Sequence, residues 1–373
     1  METNEKNRLP IINSSFARHI RELSVDYTNA LRAEQEKLPG FPFQVAKINL
    51  DDTEDPSAIS GIKNPSVSIV TDKHTYTGSD RIFPVNQDEN TVFAGYVYED
   101  TFKQEYHSVL DLCTGSGVLA IASKKAGAKH VLATDINPRS FRFVDANNVI
   151  NSTRVKVQIS DLFRGIKGKF DKITLDPPFM GSPSPVFPLH AQSQGFGTET
   201  VIEPVLSKCW EYLNKMGCVQ IIAQSFAGNN KDSFIDVLEN HIPQGWSYSI
   251  KHVFPEKNIP LHFYTSIFKD YPGFEDWKCT IEEKGYEFLR FYMLTIRDDG
   301  GSGLQEETFS TPRKYNLIYP PTLLSELEKR VNKPILLHNP VSENEIPFIG
   351  HYLRLSRYSI AVYQSLKNSL GFG

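Results

Sequence analysis

The pattern of apolar and polar positions changes at about Tyr106, and from there short apolar runs alternate with helical segments. Seven runs have the length and composition of strands: SVLDL, HVLATDI, VKVQIS, FDKITL, CVQIIAQSF, WSYSIKHVF and EFLRFYMLTI. The helical segments between them are GVLAIASKKAG, PRSFRFVDANNVIN, TVIEPVLSKCWEYLN and KDSFIDVLENHI. Strands that alternate with helices need crossover connections. The chain is therefore predicted to form an α/β fold, with seven strands in a mostly parallel Rossmann-like sheet and helices on both faces.

The sheet pattern predicts a domain over residues 86–300, with an insertion at about 255–287. Residues 1–85 are predicted to form an N-terminal accessory α+β region, with a helix in SSFARHIRELSVDYTNALRAEQEKL and a hairpin of two short strands in VSIVTDKHTYTGSDRIFPV. RDDGGSGL predicts a flexible turn, and residues 301–373 a C-terminal extension with one helix, TLLSELEKRV. Whether this extension is a cap or an oligomer contact stays open, as does the oligomeric state.

The composition is that of an ordinary globular protein. Of 373 residues, 40% are hydrophobic and 23% charged, and the net charge of -4 gives no global basic field for a nucleic-acid backbone, although a local patch is not excluded. METNEKNRLP lacks the apolar core of a signal peptide, no stretch is long enough for a membrane span, and the four cysteines show neither CxxC pairing nor zinc spacing. We therefore expect a cytoplasmic protein with reduced cysteines, no membrane partner and no metal.

A glycine loop follows the first predicted strand. Gly115-Ser-Gly117-Val-Leu-Ala120 fits the pattern G-x-G-x-x-G/A between a strand and a helix, and Asp135 lies 20 residues beyond Gly115. In dinucleotide-binding folds such features hold a pyrophosphate and a ribose hydroxyl. A nicotinamide-dependent oxidoreductase is therefore one interpretation of this loop.

Asp111 argues against a dinucleotide. It lies at the end of the first strand beside the loop, where a carboxylate would repel a pyrophosphate and attract a cationic group. S-adenosylmethionine (SAM) carries an α-ammonium and no phosphate, and glycines let the backbone approach its methionyl part. Asp135 can accept both ribose hydroxyls. Asp161 can face the adenine amino group, with Leu162 or Phe163 against the ring.

Each of these three acids alone could equally be a helix cap or a solvated turn residue. Together, Asp111, Asp135 and Asp161 end three successive predicted strands. Ligands bind at that edge of such sheets, so the three acids favour SAM over a dinucleotide.

Asp176-Pro177-Pro178-Phe179 ends the fourth predicted strand and indicates the chemistry. Two prolines cannot continue a strand, so they leave a stiff turn. This turn would aim the Asp176 side chain and the Pro177 carbonyl at one NH2 group, while Phe179 stacks on the planar group that carries it. Holding both N–H groups aligns the nitrogen lone pair with the sulfonium methyl. The alternative is a proline turn that only ends a strand.

Together these motifs resemble the class I SAM-dependent methyltransferases, closest to the branch of the release-factor glutamine methyltransferases and related amino-group N-methyltransferases. The resemblance covers roughly Asp80 to Ile296 and rests on DLCTGSG, ATDINP, DANN, SDLF and DPPF. It implies a seven-stranded methyltransferase sheet with SAM as cofactor. The implied cofactor-binding residues are Asp111, Cys113, Gly115, Gly117, Asp135, Ile136, Asp161 and Leu162. The implied catalytic residues, which would hold the acceptor nitrogen, are Asp176, Pro177 and Phe179.

The acceptor motif departs from that of the glutamine enzymes, which carry Asn-Pro-Pro-Tyr. Asp at the first position looks more like methyltransferases that act on exocyclic amines of adenine or guanine. An ionised Asp only accepts hydrogen bonds, whereas Asn also donates and can hold a glutamine amide.

The long loop Phe179–Glu199, rich in Gly, Pro and Ser, is predicted to cover the acceptor. Phe179, His190 and Gln192 are the candidates for substrate binding, although a solvated loop is the simpler interpretation of His190. We expect a SAM-dependent methyltransferase acting on a planar nitrogen (amide, guanidine or aromatic) of a small-molecule, peptide or protein acceptor. One alternative is N-methylation of an exocyclic base amine in RNA or DNA, and a second is a non-catalytic SAM-binding interaction protein.

Overall fold

The computed structural model describes residues 43–50, 65–72, 82–83, 85, 88–183, 195–253, 257–265, 268–269 and 272–309. The predicted N-terminal helix, the predicted tail helix, His190 and Gln192 lie outside these residues. The chain forms two compact units. The first contains the described residues of 43–176 and 211–220, and the second contains those of 177–210 and 221–309. The domain boundaries given above stay predictions.

Two antiparallel strands, β1 Phe43–Asn49 and β2 Ser66–Asp72, open the described part of the first unit. The sequence predicted a hairpin between the run that became β2 and a strand later in the chain. In the structure β2 pairs instead with β1, which the sequence analysis missed. Most of the other predicted strand falls on residues 73–81, outside the described part of the chain.

A parallel sheet forms the centre of the first unit. Its strands are β3 Ser108–Leu112, β4 His130–Asp135, β5 Lys156–Ile159, β6 Phe170–Leu175 and the first part of β7 Leu213–Ala227. Their order is β5-β4-β3-β6-β7, with parallel pairing of β3 to β4 and β6, and of β4 to β5. Counted from β3, this is the 3-2-1-4-5 order of doubly wound folds, in which ligands bind at the carboxyl ends of the strands near the switch point.

The helices of the first unit are α1 Asp88–Lys103, α2 Val118–Lys125 and α3 Pro138–Asn151. Helices α2 and α3 were predicted from the sequence, whereas α1 was not. A buried lysine ties α1 to β6: Lys172 Nζ donates to Asp100 Oδ2 at 2.9 Å, to Thr101 Oγ1 at 3.0 Å and to the Val97 carbonyl at 3.2 Å. All three ammonium protons therefore have an acceptor, as a buried charge requires.

Two asparagine side chains of α3 pair with the backbone of β2. Asn147 accepts from Val70 N at 2.8 Å and donates to Val70 O at 3.0 Å, and Asn151 makes the same two bonds to Ser68 at 2.9 and 2.8 Å. These amides provide the hydrogen bonds that a neighbouring strand would make, so they fix the β1–β2 pair against α3.

The second unit contains the rest of β7 together with β8 Gly245–His252, β9 Ile259–Pro260, β10 Phe288–Gly301 and β11 Gly303–Phe309. The strand order is β11-β8-β10-β7, with β9 beside β10. Strand β10 is antiparallel to β8 and β9, whereas β11 is parallel to β8. The helices are α4 Ile202–Leu206, α5 Ser233–His241, α6 Leu261–Thr265 and α7 Phe274–Glu283.

All seven predicted strands are present as β3 to β8 and β10, and the α/β class with a mostly parallel sheet is confirmed. The chain reverses within the segment RDDGGSGL, where a turn was predicted, but the reversal is tight, because β10 runs to Gly301 and the unpredicted strand β11 begins at Gly303. The glycines permit this tight reversal: Gly300 and Gly303 have φ of 76° and 60°. Among the described helices none is long and apolar enough to cross a membrane, and the cytoplasmic location stays a prediction.

Candidate functional site

The glycine loop lies between β3 and α2 in the first unit and needs its glycines for two reasons. The backbone is left-handed at Cys113 (φ 54°), Gly115 (φ 54°) and Gly117 (φ 85°). A Cβ on Gly117 would also lie 2.9 Å from Val144 Cγ2 of α3. Only glycine combines this φ with such a close approach, so the predicted role of Gly117 in a tight strand-to-helix turn has a physical cause.

Asp135, the last residue of β4, fastens this loop. Its Oδ2 accepts from Gly115 N at 2.8 Å, and its Oδ1 accepts from Asn137 N at 2.9 Å. Burial raises the pKa of the carboxyl, and the backbone N–H groups of Asn137 and Gly115 partly offset this shift. That Asp135 also accepts from the hydroxyls of a ribose stays a prediction.

Asp111 is fully buried at the end of β3. Its oxygens accept from Thr114 Oγ1 at 2.5 Å and from Thr174 Oγ1 at 2.6 Å. Burial raises its pKa to about 6, against the opposing effect of the two hydroxyls. A direct contact between Asp111 and an ammonium group stays a prediction. In this structure, the carboxylate acts on the loop through its charge and through Thr114.

The ends of β4 and β5 offer apolar surface beside these acids. Ile136 is 65% exposed, and Ile159, which the sequence analysis missed, is 45% exposed in register with Asp135. Leu162 follows with φ 46° and is partly exposed, whereas Phe163 is buried and stacks on Tyr212 at 4.4 Å between ring centroids. Of the two side chains predicted to face adenine, only Leu162 is therefore accessible.

Four carboxylates act together at this edge of the sheet. After burial, the groups that raise the pKa of the Cys113 thiol are Asp135, Asp111, Asp176 and Asp161, in that order. Asp161 is exposed and Asp176, directly after β6, is partly buried. The ends of β3, β4, β5 and β6 thus place negative charge near the loop, which opposes a pyrophosphate and favours a cationic ligand.

The segment after β2 covers part of this loop. Ile82 N donates to Asp72 Oδ2 at 2.7 Å, and the same carboxylate accepts from Arg139 Nε at 2.8 Å and Nη2 at 2.6 Å. Ile82 Cγ2 lies 3.6 Å from the position of a Cβ on Gly115. Sequence reasoning missed this pair because Asp72 and Arg139 are distant in the chain, and only their complete burial shows their importance.

The rest of the acceptor motif lies in the second unit, where Pro177 is buried and Phe179 is partly buried. A Cβ on Gly197 would lie 2.2 Å from the Phe179 carbonyl oxygen, and φ at Gly197 is 96°. Gly197, the second glycine of the sequence GFG, therefore allows a second chain segment to lie directly on Phe179. No group of three or more possible metal ligands occurs among the described residues.

A protein-family model matches the part of the chain that forms this edge of the sheet. The model described as Ribosomal protein L11 methyltransferase (PrmA) matches residues 89–175. The methyltransferase resemblance is confirmed for this part of the chain. A Methanocaldococcus jannaschii protein provisionally named as a protein N5-glutamine methyltransferase is 30% identical over 127 residues, which are 33% of this chain and 64% of that protein. The ribosomal protein L11 methyltransferase of Lactobacillus acidophilus is 51% identical over 67 residues, 18% of this chain and 21% of its own length.

Among solved structures, a ribosomal protein L11 methylase from Lactobacillus delbrueckii subsp. bulgaricus is 26% identical, with a TM-score of 0.30 over 38% of this chain and 65% of that one. The chain thus spans between a fifth and two thirds of these relatives' lengths. The methyltransferase match contains the glycine loop and the acids that end β3, β4 and β5, and it stops one residue before Asp176.

Proposed function

We propose that this protein is a SAM-dependent methyltransferase that acts on a planar nitrogen of a protein or peptide. The observation that carries the proposal is that four carboxylates, Asp111, Asp135, Asp161 and Asp176, lie at the carboxyl ends of β3 to β6 and raise the pKa of Cys113 in the glycine loop. This negative edge suits a ligand with a sulfonium and an ammonium group, and it opposes the phosphates of a dinucleotide. The names of the matched family model and of the relatives support the same activity.

The first unit supplies the cofactor site of this proposal. The backbone of Gly115 and Gly117 accommodates the methionyl part, and Asp135 accepts from the ribose hydroxyls. Asp161 accepts from the adenine amino group, and the apolar side chains of Ile136 and Leu162 flank the ring. SAM, when bound, supplies an electrophilic methyl group. Ile159, exposed beside Asp135, extends the apolar wall for adenine.

The acceptor motif supplies orientation. The Asp176 carboxylate and the Pro177 carbonyl accept the two N–H bonds of the acceptor, and Phe179 stacks on its plane. With both protons held, the nitrogen lone pair has one free direction. Orientation of this kind is worth several kcal/mol of the barrier, and methyl transfer from a sulfonium requires little besides an in-line approach.

Base amines of RNA or DNA are the second candidate, because Asp176 resembles the first residue of the base-amine motif. The exposed Asp161 and the other acids at this edge oppose a phosphate backbone, so we favour a protein acceptor. The small-molecule acceptor predicted from the sequence is tested in the same assay with free amino acids.

Transfer of a labelled methyl group tests the proposal. The full chain is incubated with tritiated SAM and, in separate arms, a pool of glutamine-containing peptides, ribosomal protein L11, total RNA and free amino acids. Label in a peptide or protein arm supports the proposal, label confined to RNA supports the second candidate, and binding of S-adenosylhomocysteine without transfer to any arm would indicate the non-catalytic alternative.

Variants of the two aspartates at opposite ends of β6 test the site. Asp176→Ala should lower transfer about 100-fold while S-adenosylhomocysteine binding survives, because only acceptor contacts are lost. Asp171→Ala is the matched control, since Asp171 binds His107 N, Ser108 N and Asn214 at the other end of the strand. Undiminished transfer by Asp176→Ala would remove Asp176 from the mechanism. Asp176→Asn distinguishes two kinds of acceptor. The rate of methyl transfer to an amide, which needs a hydrogen-bond donor from the enzyme, should be kept, and the rate of transfer to an amine that only donates should fall.

A further inference from the structure

The insertion of the second unit, residues 255–287, has no part in cofactor binding as proposed above. Its described residues carry α6 and α7, whose aromatic side chains form a cluster with Phe226 of β7. Ring centroids of Phe226 lie 5.6 Å from Tyr264 and 5.9 Å from Trp277, and Phe268 lies 5.3 and 5.4 Å from the same two rings. These four side chains are buried, as expected for a small satellite core.

Two of these rings also donate hydrogen bonds to the backbone of the acceptor loop. Trp277 Nε1 donates to the Gly195 carbonyl at 2.8 Å, and Tyr264 Oη donates to the Gly181 carbonyl. Burial raises the pKa of the Tyr264 phenol well above its usual range, so the group stays a donor at any physiological pH. Packing alone does not require either bond, because the contacts between the rings do not involve the hydroxyl or the indole N–H.

The two acceptor carbonyls belong to chain segments that lie side by side. We call residues 179–183 and 195–199 the loop stem. Gly195 N donates to Ser182 O at 3.2 Å, and a Cβ on Gly181 would lie 2.8 Å from Gly195 O. A Cβ on Gly197 would lie 2.2 Å from Phe179 O. The stem is therefore packed backbone to backbone, with no space between its halves, directly after Pro177 and Pro178.

The second half of the stem has its own anchors. Glu199 accepts from Phe196 N at 3.1 Å and from Thr198 N at 3.0 Å, which closes a tight turn. The Phe196 ring packs edge-on against Phe226 at 5.8 Å and against Tyr286, at the end of the insertion, at 5.2 Å. Both halves of the stem are thus held by the same aromatic cluster.

We propose that the insertion is a clamp in which Tyr264 and Trp277 are positioning residues, holding the loop stem so that Phe179 presents one fixed surface to the acceptor. The proposal rests on the proposed function and assigns to the insertion the selection of acceptor orientation. Neither residue touches the acceptor; each acts through a stem carbonyl. Loosening either bond should affect acceptor use and leave cofactor binding unchanged.

Hydrogen exchange measured by mass spectrometry on the full chain tests the clamp. The variants Tyr264→Phe and Trp277→Phe keep an aromatic ring and remove the donor. Stem peptides should exchange about tenfold faster in both variants, whereas peptides of the glycine loop should exchange as in the wild type. Phe268→Leu is the matched control, because it removes packing from the same cluster without removing a donor to the stem.

Unchanged hydrogen exchange of the stem peptides in both donor variants would overturn the clamp. The clamp would also be overturned if Phe268→Leu, at the same loss of stability, accelerated exchange of the stem peptides as much as the donor variants do. With the peptide or protein acceptor methylated by the wild type, the donor variants should raise the KM for acceptor about fivefold at an unchanged KM for SAM. Failure of the proposed function is distinguishable from failure of the clamp. In the first case the wild type would bind no S-adenosylhomocysteine or methylate no acceptor, and the hydrogen-exchange result would still show whether the insertion holds the stem.

Discussion

Replacing Asp111 by asparagine should stabilise the protein in a pH-dependent way. The carboxylate is fully buried and bound by the hydroxyls of Thr114 and Thr174. Asparagine has nearly the same shape, and its amide can accept from one hydroxyl and donate to the other, because hydroxyls do both. The substitution therefore removes a buried charge and keeps the local hydrogen bonds.

The size of the effect follows from the pKa of Asp111, which burial raises from 3.8 to about 6. A raised folded-state pKa means that the stability contributed by this group is complete below pH 3.8 and is lost as the pH rises through 6. The shift, 6 − 3.8 = 2.2 units, corresponds to a cost to the wild type of about 3 kcal/mol at pH 8. Asparagine avoids this cost, so the advantage of the variant should be about 3 kcal/mol at pH 8 and about half of that at pH 5.

Urea unfolding followed by tryptophan fluorescence, at pH values from 5 to 8, measures this advantage. Asp171→Asn is the control of opposite sign: its hydrogen bonds to Asn214, Ser108 and His107 lower the pKa of Asp171, so this variant should lose stability throughout the range. An advantage of Asp111→Asn that does not grow with pH would refute the reasoning. The variant should also bind SAM more weakly at pH 8, and tighter binding would contradict the electrostatic role of Asp111.

Two further substitutions test single contacts. Arg139→Met leaves the Asp72 carboxylate buried without its guanidinium and should lower the free energy of unfolding, measured in urea, by about 3–5 kcal/mol. Adding Asp72→Asn should recover part of this stability. No recovery in the double variant would mean that the two residues are not coupled. Gly197→Ala places a Cβ 2.2 Å from Phe179 O and should reduce methyl transfer about tenfold or more. Gly168→Ala is the control, because φ is 88° there and no atom lies within 4 Å, so the variant carries only the backbone strain. Equal effects of the two variants on methyl transfer would contradict the proposed packing of the stem.

The strands and the edge that carries the acids could be predicted from the sequence. Strands β3, β6 and β7 are buried along most of their length and read as largely apolar runs, and the acids lie at or just after the strand ends, whereas the edge strand β5 is only partly buried. Helix α1 was missed because its buried residues, such as Phe93, Val97 and Tyr98, are of types that favour strands, although their spacing is helical. Strand β11 was missed because Gly300, Gly301 and Gly303 predict a turn, and the chain uses them for a reversal between strands.

The remaining features depend on contacts between residues far apart in the chain. Asp111 accepts a hydrogen bond from Thr174, and Arg139 pairs with Asp72. The hydrogen bond from Trp277 to Gly195 spans 82 residues. A sequence pattern reports the periodicity of one element, and it carries no signal for which side chain of a distant insertion will reach which carbonyl. The insertion could therefore be located from the sequence, while its contacts to the loop stem could not be predicted.

Calorimetric titration with S-adenosylhomocysteine and with NAD tests the central claim most directly. The account predicts micromolar binding of S-adenosylhomocysteine to the wild type, weakened about tenfold or more by Asp135→Ala and unchanged by Asp171→Ala, with no binding of NAD. Binding of NAD in place of S-adenosylhomocysteine would contradict the interpretation of the four carboxylates and, with it, the proposed methyl transfer.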